Sequence, residues 1–496
     1  MRDGQVLADY EAVTPMRRPE PPAGDADAPE AASASHTGGI PVARLKPGAR
    51  GRRGSKATRP ARLHAEQWAA PRGHLATYAG LFLFTAFVFF RPYELFDAPF
   101  LREGAQWVAV ITFLAYLPGQ FAAEGNLTAR PREVNLALLL LAAALLSVPF
   151  AISPGEAWEQ FIEFSKVILI FVVAVNVMNT ERRLRGLLLL VLAASVMLSF
   201  SAFSDYRAGR LELGGTRVKG MLGGLFDNPN DLALHLVMMI PLAVGLAFAR
   251  RGLLRKVVYV LCAALFVAGV VVTFSRGGFL GLAVSSGVMA WKLGRKNRFV
   301  VMTLAALVLC VFIVAAPGGY GQRVSSMFGG DVTGSADARR DILWRSMLVA
   351  LRHPLTGIGI GNFHFQGQRD QVSHNAYTQV AAEMGLAALA FYVLFMITSV
   401  RRLREIERET LGAKDRAVFY YLAVGMQASI VGYMVCSFFA SVAHLWYVYY
   451  LVAYSVCLRR LYALKLGAAG RAQGGKEEES ALAPAGGAPA AGLHTL

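Results

Sequence analysis

The chain has 496 residues, 55% of them hydrophobic and 17% charged, with a mean hydropathy of +0.43, a balance that an ordinary soluble domain does not reach. Its formal net charge of +17 does not make it a nucleic-acid binder, because the basic residues are scattered between apolar runs instead of forming one stripe. Four cysteines, Cys262, Cys310, Cys436 and Cys457, all fall inside apolar stretches, so their spacing shows neither a disulfide framework nor a paired-cysteine zinc site.

Residues 1–73 are rich in Pro, Ala, Gly and Arg and show no apolar period, so they read as a disordered arm. Between Arg44 and Arg72 the arm carries nine Lys or Arg against one acid, Glu66. No apolar signal-peptide core follows an early basic region, which leaves the arm in the cytoplasm, beside anionic lipid.

Apolar runs of roughly 17 to 25 residues then predict twelve membrane spans, starting near Leu75, Gln106, Val134, Gln160, Leu184, Asp231, Lys256, Gly277, Phe299, His374, Ala417 and His444. An even count places both termini on one side. The loops after spans two, four, six, eight and ten hold nineteen Lys or Arg, and the intervening loops hold thirteen in roughly twice the length. The positive-inside rule makes the first set cytoplasmic, and Arg459, Arg460 and Lys465 after the last span agree. The chain is thus read as an all-α integral membrane protein: a polytopic domain at 74–466 and a disordered cytoplasmic tail at 467–496.

Two outer segments are long enough for a site, residues 205–230 and 317–373. Within the second, residues 338–353 predict an interfacial helix with Ile342, Leu343, Met347, Ala350 and Leu351 on one face, ended by Pro354. Three polar clusters flank span ends on this side: Arg217 and Lys219 ahead of Phe226-Asp227-Asn228-Pro229-Asn230, then Ser275-Arg276-Gly277-Gly278, then Ser373-His374-Asn375.

Arg276 interrupts nearly continuous apolar sequence from Val257 to Met289, where an unpaired charge is costly and usually functional. Snorkelling from a helix end is its plain alternative, as a solvated basic loop is for Arg217. Guanidinium groups match phosphate oxygens, so the two arginines point to a lipid-linked phosphate. His374 at a helix start is either a cap or a base for a hydroxyl proton, with Asn375 orienting donors beside it. His235, His353, His364 and His444 read as structural.

Gly357-Ile358-Gly359-Ile360-Gly361 lacks the spacing and strand-to-helix setting of a nucleotide loop and reads as close backbone packing. No His and carboxylate pair lies one turn apart on an outward helix, so no metal and no cofactor are expected.

Arg339-Arg340-Asp341-Ile342-Leu343-Trp344, the run from Arg352-His353-Pro354 to Gly361-Asn362-Phe363, Ser373-His374-Asn375-Ala376-Tyr377 and Glu383-Met384-Gly385-Leu386 together resemble the signature of the O-antigen ligase and O-antigen polymerase superfamily. Arg217 to Asn230 and Phe274-Ser275-Arg276-Gly277 are similar to its two upstream arginine segments. The resemblance implies a GT-C-like, metal-independent membrane glycosyltransferase in the bacterial inner membrane. Its active site faces the periplasm, and it moves a glycan from undecaprenyl diphosphate to an acceptor.

By that likeness Arg217 and Arg276 bind the diphosphate, and His374 activates the acceptor hydroxyl. Lys219, Arg340 and Asn375 are further substrate contacts. The acceptor separates a ligase (lipid A core) from a polymerase (a second lipid-linked glycan) and a protein O-oligosaccharyltransferase. Twelve spans and a long loop before span ten suit a ligase of lipopolysaccharide or polysaccharide assembly. A secondary transporter is the reading from another class. Its relay candidates are few, chiefly Glu163, Lys166 and Glu383, and Glu163 with Lys166 reads equally as an i, i+3 pair.

Overall fold

The computed structural model describes residues 73–96, 98–210, 218, 226, 228–249, 252–294, 299, 334–366 and 372–482. The arm up to residue 72, Arg217, Lys219 and nearly all of the ninth expected span lie outside the described residues.

Among the described residues all regular structure is helical: α1 (Leu75–Phe90), α2 (Pro92–Leu95), α3 (Pro99–Glu124), α4 (Arg132–Ser147), α5 (Pro154–Val177), α6 (Glu181–Arg207), α7 (Pro229–Ala249), α8 (Leu253–Val272), α9 (Arg276–Gly294), α10 (Gly334–Arg352), α11 (Ala376–Met384), α12 (Leu386–Thr410), α13 (Ala417–Cys436) and α14 (Trp446–Leu482). Seven are long and apolar enough to cross a membrane, namely α4 to α8, α12 and α13. The chain is an all-α integral membrane protein. Helices α1, α3, α9 and α14 stand where four more of the twelve expected spans were placed.

Helix α7 is the centre of the bundle, packed by α8, α9 and α13, with 89% of its most apolar stretch buried. It crosses α13 at two glycines. A Cβ at Gly245 would stand 2.9 Å from the Tyr421 carbonyl oxygen, and one at Gly425 2.7 Å from that of Pro241. Small residues at a crossing let two backbones gain the van der Waals contact that holds helices together in lipid.

One end of the bundle is held by buried ion pairs. Arg459 grips Glu133 of α4 through two hydrogen bonds of 2.7 and 3.0 Å, both side chains being sealed from solvent. Its neighbour Arg460 pairs with Glu124 of α3 at 2.8 Å and donates to the Asn176 carbonyl of α5. Across the same end, Lys292 of α9 meets Glu407 of α12, which also accepts from Gln427 of α13 at 3.0 Å. Arg459 and Arg460 are therefore not solvated charges past the last span. They lie inside α14, which runs to Leu482, past the boundary at 466 that composition indicates.

The tenth span also differs from expectation. It is broken at Gly385 into α11 and α12, because the chain there must pass the Pro354–Leu355 backbone: Leu386 N–H donates to the Pro354 carbonyl at 2.8 Å, and a Cβ on Gly385 would lie 2.4 Å from the Leu355 carbonyl oxygen. The glycine run then lies along the end of α11. Ile358 N–H donates to the Ala382 carbonyl and Gly359 N–H to that of Glu383, at 2.9 and 3.0 Å.

On its other side the glycine run is tied to the α4–α5 junction. Ile152 N–H donates to the Ile358 carbonyl, Ser153 N–H to Asn362 Oδ1 and Ile360 N–H to Ser147 Oγ. At Gly357, φ is +67° and a Cβ would meet the Glu383 backbone at 2.3 Å. Helix α10 closes over this loop with Ile342, Val349 and Ala350. Its covered face is rotated from the expected one, leaving Met347 and Leu351 exposed beside Trp344.

Two stability outcomes follow from these contacts, both read by thermal unfolding in detergent. Arg459→Met strands a buried carboxylate and is expected to cost about 3–5 kcal/mol, most of it recovered in the double variant with Glu133→Leu. Gly357→Ala combines left-handed strain with overpacking and is expected to cost roughly 2–5 kcal/mol. Gly125→Ala has φ +66° and open space around it, so it should cost only the strain of about 1–2 kcal/mol.

Candidate functional site

Helix α9 starts from a turn rich in hydroxyls. Thr273 Oγ1 donates back to the Val270 carbonyl at 2.7 Å, and Ser275 Oγ caps α9 by accepting the Gly278 N–H at 3.1 Å. Between them Phe274 takes φ +50°. The result sets Arg276 exposed at the first position of the helix, between buried Ser275 and Gly277. A cation at a helix start gains nothing from the macrodipole, so helix stability does not account for it.

Ser275 Oγ also donates to Asn230 Oδ1 at 2.8 Å, which joins this turn to the start of α7. There Pro229 opens the helix, and Asn228 accepts through its side chain from Asn230 N–H at 2.9 Å and through its carbonyl from Asp231 N–H at 3.0 Å. Proline suits this position because its missing N–H has no partner there anyway.

Helix α11 is capped by Asn375, whose Oδ1 accepts from Tyr377 N–H at 2.9 Å and Thr378 N–H at 3.1 Å. His374 just before it is held at φ +51° and is half-buried. The described residues include four non-glycine positions with positive φ: His74, Arg91, Phe274 and His374. Two of these four sit on the two polar turns in question, and strained backbone of this kind, costing about 1–3 kcal/mol, concentrates at functional sites.

Both turns rest on one corner, the segment from Cys436 through the 3-10 turn Ser437–Phe439 to Ser441. Cys436 Sγ donates to the Gly277 carbonyl at 3.4 Å, and a Cβ on Gly277 would press on Phe439 at 2.8 Å. On the α11 side Ser373 Oγ lies 3.2 Å from Ser441 Oγ, and Tyr377 Oη donates to the Met434 carbonyl at 2.8 Å. Three helix starts, those of α7, α9 and α11, thus meet around one corner. The partial positive charge of these helix starts adds to the guanidinium of Arg276, an arrangement that favours an anion.

Of the residues expected from sequence, Arg276 and His374 are brought to this corner. Asn375 is buried, and its side-chain oxygen caps its own helix. Arg340 is exposed on α10. His235 is a core residue, bonded to Ser195 Oγ at 2.9 Å, and Glu163 with Lys166 is a local ion pair of 2.6 Å. Among the described residues no group of three or more His, Cys, Asp or Glu could hold a metal ion.

Sequence reasoning missed the corner serines Ser437 and Ser441, which no periodicity distinguishes from other small residues in apolar runs. It also missed the pairing of Glu383 with His444. The Glu383 carboxyl is buried at the end of α11, 3.8 Å from His444 Nδ1, and accepts the Gly361 N–H at 3.0 Å. On the far side of Gly361 a cavity of about 730 Å³ is walled by Glu156, Trp158, Glu159, Gln160 and His364.

Residues 233–393 match the model of a family described as O-antigen ligase. No curated protein matches the chain. The matched segment opens within α7, ends within α12, and takes in the Arg276 turn, the glycine loop and His374. Over this segment, less than half of the chain, the protein is similar to the O-antigen ligase family.

Proposed function

We propose that the protein transfers a glycan from undecaprenyl diphosphate to an acceptor hydroxyl at the outer face of the bacterial inner membrane, as a ligase of O-antigen or a related polysaccharide. The observation that supports this reading best is the meeting of the Arg276 and His374 turns at one corner, with three helix starts facing it. The acceptor oxygen attacks the anomeric carbon as the bond from that carbon to the diphosphate oxygen breaks. His374 takes the hydroxyl proton, and undecaprenyl diphosphate departs with the bonding electrons.

Arg276, with Arg217, neutralises the charge that grows on the diphosphate, while Lys219 and Arg340 add longer-range attraction. Fixed donors aimed at developing charge commonly supply most of the rate in such a step. The cavity beside Gly361 gives a hydrophilic glycan room, since carboxylates, an amide and a tryptophan face are groups that hold sugar rings. Lipid A core is the acceptor of the ligase reading. Both termini are cytoplasmic in this topology, in keeping with the distribution of Lys and Arg.

The test is transfer from a radiolabelled undecaprenyl-diphosphate glycan by the purified protein, with lipid A core, a second lipid-linked glycan or neither as acceptor. Label moving to the core supports the ligase, and a ladder of longer lipid-linked chains replaces it with a polymerase. No transfer to any acceptor, with folded protein, overturns the reading and favours a transporter. Arg276→Lys is expected to lose about 100-fold in kcat, because a point charge lacks the forked geometry. His374→Ala is expected to lose about 100-fold or more while donor binding stays intact, as measured by donor titration. Lost donor binding would make His374 a donor contact instead.

A further inference from the structure

Helix α11 has only nine residues, too few to hold its own geometry in isolation, yet it sets the His374 turn. Its two ends are held by different parts of the chain. At the start, Ser373 meets Ser441 of the corner. At the end, Glu383 is bonded to the glycine loop twice, through its carbonyl from Gly359 N–H and through its carboxyl from Gly361 N–H, both at 3.0 Å. The same carboxyl oxygen faces His444, three residues beyond Ser441. Glu383 is thus in contact with both the glycine loop and His444, in the turn that follows the corner segment bracing the start of α11.

We propose that Glu383 is a positioning residue, whose carboxyl ties the glycine loop to α11 and seats against His444, so holding the His374 turn against the corner. The proposal rests on the transfer reading above. Around the carboxyl stand the Gly361 and Phe363 amides of the loop, Gln379 one turn back on α11, and His444 from the turn after the corner segment. Helix α10 covers this end of α11 with apolar Ile342, Val349 and Ala350, and α4 presents Ser147 to the loop.

His444 is packed on Phe164 of α5, with ring centroids 5.2 Å apart. A charge on Glu383 would therefore be a buried one, costly unless it is paired and hydrogen-bonded.

The test uses the full-length protein in detergent, comparing wild type with Glu383→Ala and Glu383→Gln by hydrogen exchange and by transfer kinetics with the labelled undecaprenyl-diphosphate glycan. In Glu383→Ala, amide exchange is expected to rise about tenfold or more at 357–363 and also at 373–378. Its kcat is expected to fall about 100-fold, the scale of an ångström of misplacement, with the donor KM little changed. Glu383→Gln keeps an acceptor for Gly361 N–H, so it should retain activity and slow exchange at both 357–363 and 373–378.

Faster exchange confined to 357–363, with kcat intact, would overturn the proposal. So would a Glu383→Gln variant as impaired as Glu383→Ala, which would show that the ionised carboxylate is needed. If Glu383→Ala does not fold, Glu383→Asp, one methylene shorter, is read in the same way. If the wild type transfers to no acceptor, the function reading fails, and the exchange at 373–378 still decides the role of Glu383.

Discussion

Helix starts carry unsatisfied amides with partial positive charge, and in this bundle three of them are gathered at one corner. The starts of α7, α9 and α11 are joined there by side-chain hydrogen bonds from Ser275 to Asn230 and between Ser373 and Ser441, with the segment from Cys436 to Ser441 as common support. Each amide cluster is capped by Asn or Ser, so the corner holds together through its own hydrogen bonds while the helix dipoles keep a partial positive charge there. Arg276 adds a full charge to it. A site that takes a diphosphate and stabilises the charge of its departure requires this kind of prearrangement, and the rest of the structure can be understood as what keeps the corner in place.

The two ends of the bundle divide that work. At the end away from the corner, Arg459, Arg460, Lys292 and their carboxylate partners bind helices far apart in sequence, with desolvated charges that leave little freedom to slide. At the corner end the contacts are backbone amides, hydroxyls and glycines, which set positions through short hydrogen bonds and close packing. The glycine loop is the link, tied to α11 on one side and to the α4–α5 junction on the other. The Arg276 turn and the His374 turn, on opposite sides of the corner, therefore have little room to shift relative to each other.

Much of this was legible in the sequence, for identifiable reasons. Long apolar runs specify membrane helices almost on their own, because every backbone polar group in lipid must be satisfied within the helix. Arg276 and His374 stood out as polar residues at the ends of such runs, and the three alternating glycines signalled close packing, as the 2.3 Å approach at Gly357 shows. The break at Gly385 was not legible, since apolar residues continue beyond it to Ile397 and it is the passing Pro354–Leu355 backbone that ends α11. Nor was the pairing of Arg459 with Glu133, which lie 326 positions apart. The capping role of Asn375 was open to sequence reading, because an Asn directly before a helix is a strong capping signal.

The claim at the centre of this account is that the Arg276 and His374 turns share one diphosphate site. It is tested most directly by photocrosslinking transfer-competent protein with undecaprenyl diphosphate carrying a photoreactive group next to the phosphates, followed by peptide mapping. The account predicts adducts in both 273–279 and 373–378, competed by unlabelled undecaprenyl diphosphate and lost together in Arg276→Ala. Competed adducts on only one of these segments, or at the Arg459 end of the bundle, would contradict it.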